Sequence, residues 1–466
     1  MRTAIGNFGD WLSAVVPGRA AAVREAIARF GREQAGNVAI IFALSLVPMS
    51  FLVGMGLDFS SAIQKRTYLN AAADAAALAA VTPAMMSQSD QAVTTAAQNM
   101  FNAQASAIGG VNLSGPNVVV SQTGLTRTVT VSYTASSVNS FAGILGQPDW
   151  PISGSSQAAS SAAPNINFYL LLDNSPSMDL PATTAGINAM IAATKNAPAN
   201  GGNAGGCAFA CHESNPSADN LGNPGGVDNY ALANKLGVVT RIENMNTATQ
   251  SLMTTAAATE AANNATYQMA IYTFNSSGLN AIQQLTSNLT GAKTAAANIN
   301  VLEVYDNNWL TKTNDNSDTD TDFETAMAQI NGIMPAPGTG AASGTPQEVL
   351  LIVSDGVDDE VSTTCSQRLD GNRCQQPFDT TWCTTVKNRG VLIAVLYTEY
   401  LPLPATGVGS NSWYNNWVAP FQSQIGPNLE SCASPNLFFS VTTDGDITTA
   451  MQALFQRSVT TARLTQ

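Results

Sequence analysis

The sequence predicts an α/β protein in which an N-terminal transmembrane helix and a small α+β region precede a doubly wound, mostly parallel sheet. Three observations predict this fold class. An uncharged apolar run covers residues 37–57. Short β-branched runs follow it at 118–121 and 128–133, and these read as strands. Beyond residue 165, apolar strand patterns alternate with helical ones, which is typical of a parallel sheet.

The run at 37–57 is long enough to cross a bilayer as a helix. It starts too far into the chain, and lacks the small-residue cleavage site, expected of a secretory signal. A buried core helix is the alternative interpretation. Pro48 should kink a spanning helix without forbidding it. The alanine-rich stretch up to about residue 82 predicts that the helix continues beyond the membrane. We expect this outer half to pack closely, so self-association through it is one expectation.

Basic residues predict the orientation of the span. Few of them follow it closely, namely Lys65 and Arg66. Five arginines precede it: Arg2, Arg19, Arg24, Arg29 and Arg32. The positive-inside rule therefore predicts a single-pass protein of the bacterial inner membrane, with residues 1–36 cytoplasmic and the bulk of the chain periplasmic. All six cysteines follow the span, which suits an oxidising compartment.

Length and charge limit the number of domains and the classes of partner that we expect. A chain of 466 residues predicts two or three domains. The formal net charge of −13 and the lack of clustered basic residues argue against nucleic acid as a partner. We expect residues 58–160 to form a periplasmic helix and a small β region, and residues 165–466 to form the second domain.

The second domain is expected to carry two insertions, at 179–228 and 357–380. Its predicted strands lie at 166–172, 267–274, 348–354, 391–397 and 436–441. Its predicted helices lie at about 230–260, 321–332, 379–389 and 444–463. In sheets of this kind ligands bind beyond the carboxyl ends of the strands.

One such strand end carries the run Asp173-Asn-Ser-Pro-Ser177. A carboxylate and two hydroxyls at alternate positions can converge on a hard cation such as Mg²⁺, which keeps positions for water or a partner's carboxylate. This pattern resembles the metal-ion-dependent adhesion site of von Willebrand factor A (vWA) domains. Two later segments resemble the rest of that site, the Thr-Asp-Phe-Glu run that opens at Thr321 and the strand that ends in Asp355-Gly.

The resemblance implies that Ser175, Ser177 and Thr321 contact Mg²⁺ or Mn²⁺ directly or nearly so. It implies that Asp173 and Asp355 often act through water. A vWA fold that binds no metal is the alternative.

A second resemblance concerns the N-terminal region. A long membrane helix followed by a small sheet is the plan of pilin-like subunits. The segments at 36–44, 57–60 and 69–80 resemble TadG-like proteins of tight-adherence (Tad/Flp) pilus systems, which often carry a C-terminal vWA-like domain. The resemblance implies a membrane-anchored component of Flp pilus assembly or adhesion that binds a protein partner, a pilus or secretion component. It implies no enzyme activity.

The remaining motifs leave alternatives open. An envelope redox or hydrolytic enzyme on the same scaffold is the alternative function. Cys207 and Cys211 precede His212, one residue longer than a haem-attachment signature, and a local disulfide is favoured over haem or zinc there. The other four cysteines allow three pairings, of which Cys365 with Cys374 and Cys383 with Cys432 is favoured.

Overall fold

The computed structural model describes residues 34–195, 206, 208, 228–302, 319–362, 365, 373–400, 414–442 and 444–464. The chain divides into two compact units near residue 160, and the hairpin tip Gln122–Arg127 groups with the second unit. Cys207, Cys211 and His212 lie outside the described residues, so the predictions made for them stay predictions.

The first unit is built on a long helix, α1 (Gln34–Ala80). Its apolar run is exposed, with Leu44 72% accessible, which does not fit the core-helix alternative. The helix is long and apolar enough to cross a membrane. After a short helix α2 (Pro83–Met86), helix α3 (Asp90–Ala105) begins at Ser89, whose hydroxyl accepts the Ala92 N–H at 3.3 Å.

A three-stranded sheet completes the first unit, in the order β1–β2–β3. The strands are longer than the sequence predicted, and their bounds are β1 (Val111–Thr123), β2 (Thr126–Val138) and β3 (Asp149–Ser161). Alternate residues of β2 are buried against the helices, as the period of a strand requires. Where α1 contributes to the core of this unit, most of the buried side chains are small. They include Ala72, Ala73, Ala76, Ala77 and Ala80.

The second unit contains a six-stranded sheet in the order β11–β10–β7–β4–β5–β6. All neighbouring pairs are parallel except β5 with β6. The bounds are β4 (Ile166–Asp173), β5 (Tyr267–Asn275), β6 (Gly278–Thr286), β7 (Gln347–Ser354), β10 (Leu392–Thr398) and β11 (Phe438–Val441). The five predicted strands are therefore present, and β6 is an antiparallel edge strand that the sequence did not predict.

Helices cover both faces of this sheet. Phe168, Leu170 and Leu172 of β4 belong to one buried cluster, while Tyr169 and Leu171 belong to the other. This alternation arises because successive side chains of a strand point to opposite faces. The helices are α4 (Thr184–Ala193), α5 (Asn229–Lys235), α6 (Arg241–Asn263), α7 (Leu289–Ala296), α8 (Phe323–Ile333), α9 (Thr381–Asn388), α10 (Gln422–Cys432) and α11 (Ile447–Leu464). The doubly wound α/β prediction is confirmed.

The helix predicted at 230–260 is in fact two helices, α5 and α6. Gly237 separates them with a φ of +69°, a conformation that ends a helix and suits glycine. Glu243 then accepts the Thr240 N–H at 2.9 Å where α6 starts. Three further helices, α4, α7 and α10, were not predicted.

The insertion at 357–380 contains a two-stranded antiparallel sheet, β8 (Val357–Val361) and β9 (Arg373–Pro377). A disulfide joins Cys365 to Cys374 beside it, and another joins Cys383 to Cys432. Both favoured pairings are confirmed. Of the insertion at 179–228, the structure describes α4 and its flanks.

Candidate metal centre

Four of the five predicted ligands converge at one edge of the sheet. Asp173 is the last residue of β4, and Asp355 directly follows β7. These strands run parallel with Leu172 opposite Val353, so both aspartates leave the sheet at its carboxyl edge.

The turn after β4 folds its hydroxyls back onto its carboxylate. Oδ1 of Asp173 accepts hydrogen bonds from the Ser175 backbone N–H at 2.9 Å and from the Ser175 hydroxyl at 2.6 Å. The Oγ atoms of Ser175 and Ser177 lie 3.0 Å apart. The alternate spacing of the motif therefore produces a cluster of three oxygen-bearing side chains. Asp173 and Ser175 are fully buried, and Ser177 is half-buried.

Asp355 brings a second carboxylate to this cluster. Its Oδ1 accepts the Val357 N–H at 3.2 Å, and the Ser177 hydroxyl also interacts with it. Among the described residues its buried Oδ2 has no hydrogen-bond partner. Gly356 makes the exit possible, because its φ is +76° and a Cβ there would lie 2.6 Å from the Ile425 side chain.

The electrostatics of the pair are unfavourable without a cation. Burial, and then the charge of Asp355, raise the pKa of Asp173 to about 7. Burial also raises the pKa of Asp355, against the opposing effects of the Ser177 hydroxyl and the Arg241 charge. Two buried carboxylates beside the linked hydroxyls of one turn are a costly arrangement that a divalent cation would relieve.

Thr321, the fifth predicted ligand, is paired with the backbone of β8 and makes no described contact with the other four. Its N–H donates to the Asp359 carbonyl oxygen at 3.1 Å, and its own carbonyl accepts the Asp359 N–H at 2.9 Å. Asp358, on the same strand, accepts the Phe323 N–H that opens α8 at 3.1 Å. The threonine loop is therefore fastened to the strand that begins two residues after Asp355. The Thr321 side chain is buried.

Ser354 is part of the centre, although the sequence analysis did not select it. Its hydroxyl donates to Oδ2 of Asp173 at 2.6 Å and accepts the Gly356 N–H at 2.9 Å. Its position immediately before Asp355 is the signal that could have identified it. A strand-end serine beside a strand-end aspartate faces the neighbouring parallel strand end.

Arg241 was also missed. Its buried guanidinium donates to the Glu399 carbonyl oxygen at 2.6 Å and lies 5.9 Å above the centre of the Tyr400 ring. Its charge lowers the pKa of Asp355, so it partly balances the negative centre. Nothing in the local sequence marks this arginine, because the pairing is between distant segments.

The residues present fit a hard cation. Two carboxylates and several hydroxyls provide oxygen ligands. Oδ2 of Asp355 is buried and has no hydrogen-bond partner among the described residues. Within the described ranges, no three His, Cys, Asp or Glu side chains form a group that could hold a metal. Oxygen ligands of this kind suit Mg²⁺ and Mn²⁺ better than soft metals.

The comparisons with known proteins concern both units. Residues 36–99 match a family described as "Putative Flp pilus-assembly TadE/G-like". The N-terminal region of this chain is therefore similar to TadE/G-like proteins. The match covers the segments at 36–44, 57–60 and 69–80, where that resemblance was predicted, and confirms it there. No curated protein sequence matches the chain.

Several solved structures are similar to this chain at low identity. The vWF domain of the type V pili tip protein Mfa5 from Porphyromonas gingivalis is 9% identical, with a TM-score of 0.34 over 65% of this chain and 97% of that one. The pilus adhesin SpaC from Lactobacillus rhamnosus GG is 10% identical, with a TM-score of 0.32 over 76% of this chain and 34% of that one. The SpRpn10 VWA domain is 9% identical, with a TM-score of 0.29 over 63% and 95%. The sheet of the second unit is mostly parallel, as predicted, with one antiparallel edge strand, and the turn with Ser175 and Ser177 follows its central strand β4.

Proposed function

We propose that this chain is a membrane-anchored periplasmic component of Flp/Tad pilus assembly or adhesion, which binds a protein partner through a divalent cation. Asp173, Ser175, Ser177, Thr321 and Asp355 would hold Mg²⁺ or Mn²⁺. The cation would supply an open coordination position for a carboxylate of the partner, a pilus or secretion component. The pilus-assembly family favours a structural or adhesive protein over an enzyme.

The observation that carries the metal proposal is the buried pair of aspartates. Asp173 accepts the Ser175 hydroxyl, and Asp355 interacts with the Ser177 hydroxyl. These two hydroxyls lie 3.0 Å apart, and Oδ2 of Asp355 has no hydrogen-bond partner among the described residues. A native fold does not ordinarily bury two carboxylates against each other unless something else compensates their charge. Arg241 supplies one positive charge, and the divalent cation supplies the rest.

The exposed apolar half of α1 supports membrane anchoring. The orientation rests on the arginine excess before the span, by the positive-inside rule. The two disulfides of the second unit suit an oxidising compartment such as the periplasm.

Thermal unfolding of the full chain in detergent tests the metal proposal. Millimolar Mg²⁺ or Mn²⁺ should raise the melting temperature, since a ligand at about 100 times its Kd adds about 2.7 kcal/mol to stability. Asp173→Ala should abolish this rise and weaken pilus assembly or adhesion in cells. Glu348→Gln is the matched control, because Glu348 is a buried acid at the opposite end of β7, and its variant should keep the rise. A parent protein indifferent to both ions would refute the metal proposal.

A reporter that is active only outside the cytoplasm tests the orientation. Fused after Gln466, it should be active, and a cytoplasmic reporter at the same point should be silent. The reverse result would refute the periplasmic placement and leave the metal proposal standing.

A further inference from the structure

A short 3-10 turn, Ala142–Leu145, carries exposed apolar side chains in the first unit. Ile144 is 72% exposed, Leu145 is 56% exposed and the preceding Phe141 is 41% exposed. Three large apolar residues within five positions form a continuous apolar surface. Contact of such a surface with water is unfavourable, so we expect the turn to contact apolar material.

The turn is fastened to α1 by a buried carboxylate. Asp58 accepts three backbone N–H groups, from Ser140 at 2.9 Å, from Phe141 at 2.8 Å and from Ala142 at 2.7 Å. Three donors satisfy the carboxylate and open the 3-10 turn at the same time. Asp58 therefore holds the turn at one height along the helix.

Gly54 receives the Phe141 ring one helical turn below Asp58. A Cβ at Gly54 would lie 2.4 Å from Cγ of Phe141, so the ring rests directly on the helix backbone. The absence of a side chain at this position is what lets the turn approach so closely. Two independent contacts, at positions 54 and 58, thus fix where the turn lies.

This height is the outer end of the uncharged run. Residues 38–57 carry no charge, and Asp58 is the first charged residue after them. The next ones, Lys65 and Arg66, lie about 10–12 Å further along the helix by its rise of about 1.5 Å per residue. Trp150 packs edge-on against Phe59 at 6.3 Å between ring centres, and aromatic rings of this kind are enriched where a span meets the headgroups.

We propose that the turn, held by Asp58, inserts Phe141, Ile144 and Leu145 into the lipid interface beside the span. This inference rests on the membrane anchoring in the proposed function. The occupant is lipid because the apolar surface of the turn continues the exposed apolar surface of α1, from Leu44 to Leu57. A carboxylate with three hydrogen bonds can lie at this depth, where an unsatisfied one would be costly.

Site-specific photocrosslinking in native membranes tests the proposal with the full chain. A benzophenone amino acid is placed at Ile144, at Leu44 within the span, and at Val119, an exposed residue of β1 used as the matched control. We expect lipid adducts at 44 and 144 and none at 119. All three positions are exposed, so the substitutions leave the core intact.

The outcomes are distinguishable. Lipid adducts at 44 without any at 144 would overturn the proposal and leave the membrane anchor standing, as would crosslinks from 144 to a protein or to a second copy of the chain. Absence of adducts at 44 would overturn the anchor itself. Asp58→Ala should lower the yield at 144 to the level at 119 without changing the yield at 44, and an unchanged yield at 144 would refute the role given to Asp58.

Discussion

The β4–β7 strand pair buries carboxylates at both of its ends, and the groups around those carboxylates differ between the ends. At the amino end, Oε1 of Glu348 accepts a hydrogen bond from Asn167 at 3.0 Å. The Tyr169 hydroxyl also interacts with this carboxylate, and Arg389 contributes a positive charge. At the carboxyl end, Asp173 meets a second carboxylate and several hydroxyls. Burial is the largest cause at both ends, and it raises the pKa of Glu348 and of Asp173 to about 7.

Burial therefore does not by itself distinguish a binding centre. Like Asp355, Glu348 has one buried carboxylate oxygen without a hydrogen-bond partner among the described residues. A lone carboxylate can relieve its burial by taking up a proton. Two carboxylates beside linked hydroxyls favour a bound cation more strongly. The number of oxygen groups that converge is the informative difference between the two ends.

The largest expected effect is at the carboxyl end, where the change in stability caused by an Asp173 variant should reverse its sign when Mg²⁺ is added. At pH 8 and without metal, Asp173→Asn should stabilise the protein by about 1–3 kcal/mol, because it removes one of two buried like charges. With millimolar Mg²⁺ the order should invert, since the parent gains a ligand and the variant does not. Thermal unfolding in chelator and in Mg²⁺ measures both states.

The pH dependence of the Asp173 effect has a definite direction. The pKa of Asp173 is raised from 3.8 to about 7 in the folded protein, so its ionisation costs stability as the pH rises through that value. The metal-free advantage of Asn should therefore shrink as the pH is lowered below about 7. An advantage that is equal at pH 5 and pH 8 would show that charge is not its cause.

A smaller effect on stability is expected from removing the Ser354 hydroxyl, which joins the two strand ends. Ser354→Ala removes the hydrogen bond to Asp173 and leaves the Gly356 N–H without its acceptor, which should cost about 1–2 kcal/mol. Asn167→Ala removes the matching donor from Glu348 at the amino end, and it should cost a similar amount. Only the serine variant should shift the midpoint of a Mg²⁺ titration. Equal Mg²⁺ midpoints for both variants would break the distinction between the two ends.

The smallest effect concerns the amino end. The pKa of Glu348 is raised from 4.5 to about 7, so stability is full below pH 4.5 and is lost as the pH rises through about 7. Glu348→Gln cannot ionise and can keep the contact with Asn167. It should match the parent at pH 5 and exceed its stability by about 1 kcal/mol at pH 8, with Mg²⁺ making no difference. Denaturant unfolding at the two pH values checks this, and a loss of stability at pH 8 would contradict it.

The sequence predicted much of the sheet because its central strands are buried on both faces. The runs that became β4 and β7 are almost wholly apolar, so their pattern is unambiguous. The strand β6 was missed since it is an edge strand, rich in Gln and Asn and mostly half-exposed. The break at Gly237 was missed because helical patterns lie on both sides of it.

The candidate site was predictable where local spacing defines it. Asp173, Ser175 and Ser177 lie in one turn, and Asp355 ends an obvious strand. Arg241 was not predictable, because its relation to Asp355 exists only after segments more than a hundred positions apart have packed. Whether a cation binds there stays a prediction.

The parallel arrangement of β4 and β7 also sets when the site can form. The hydrogen bond between Ser354 and Asp173 joins positions 181 residues apart. Contacts of such long range form slowly during folding, because the loop between them must first be closed. During synthesis β4 is therefore made long before β7, and this central strand lacks one of its neighbours until β7 follows. The contact between Asp173 and Ser354 is completed only when these two strands have paired.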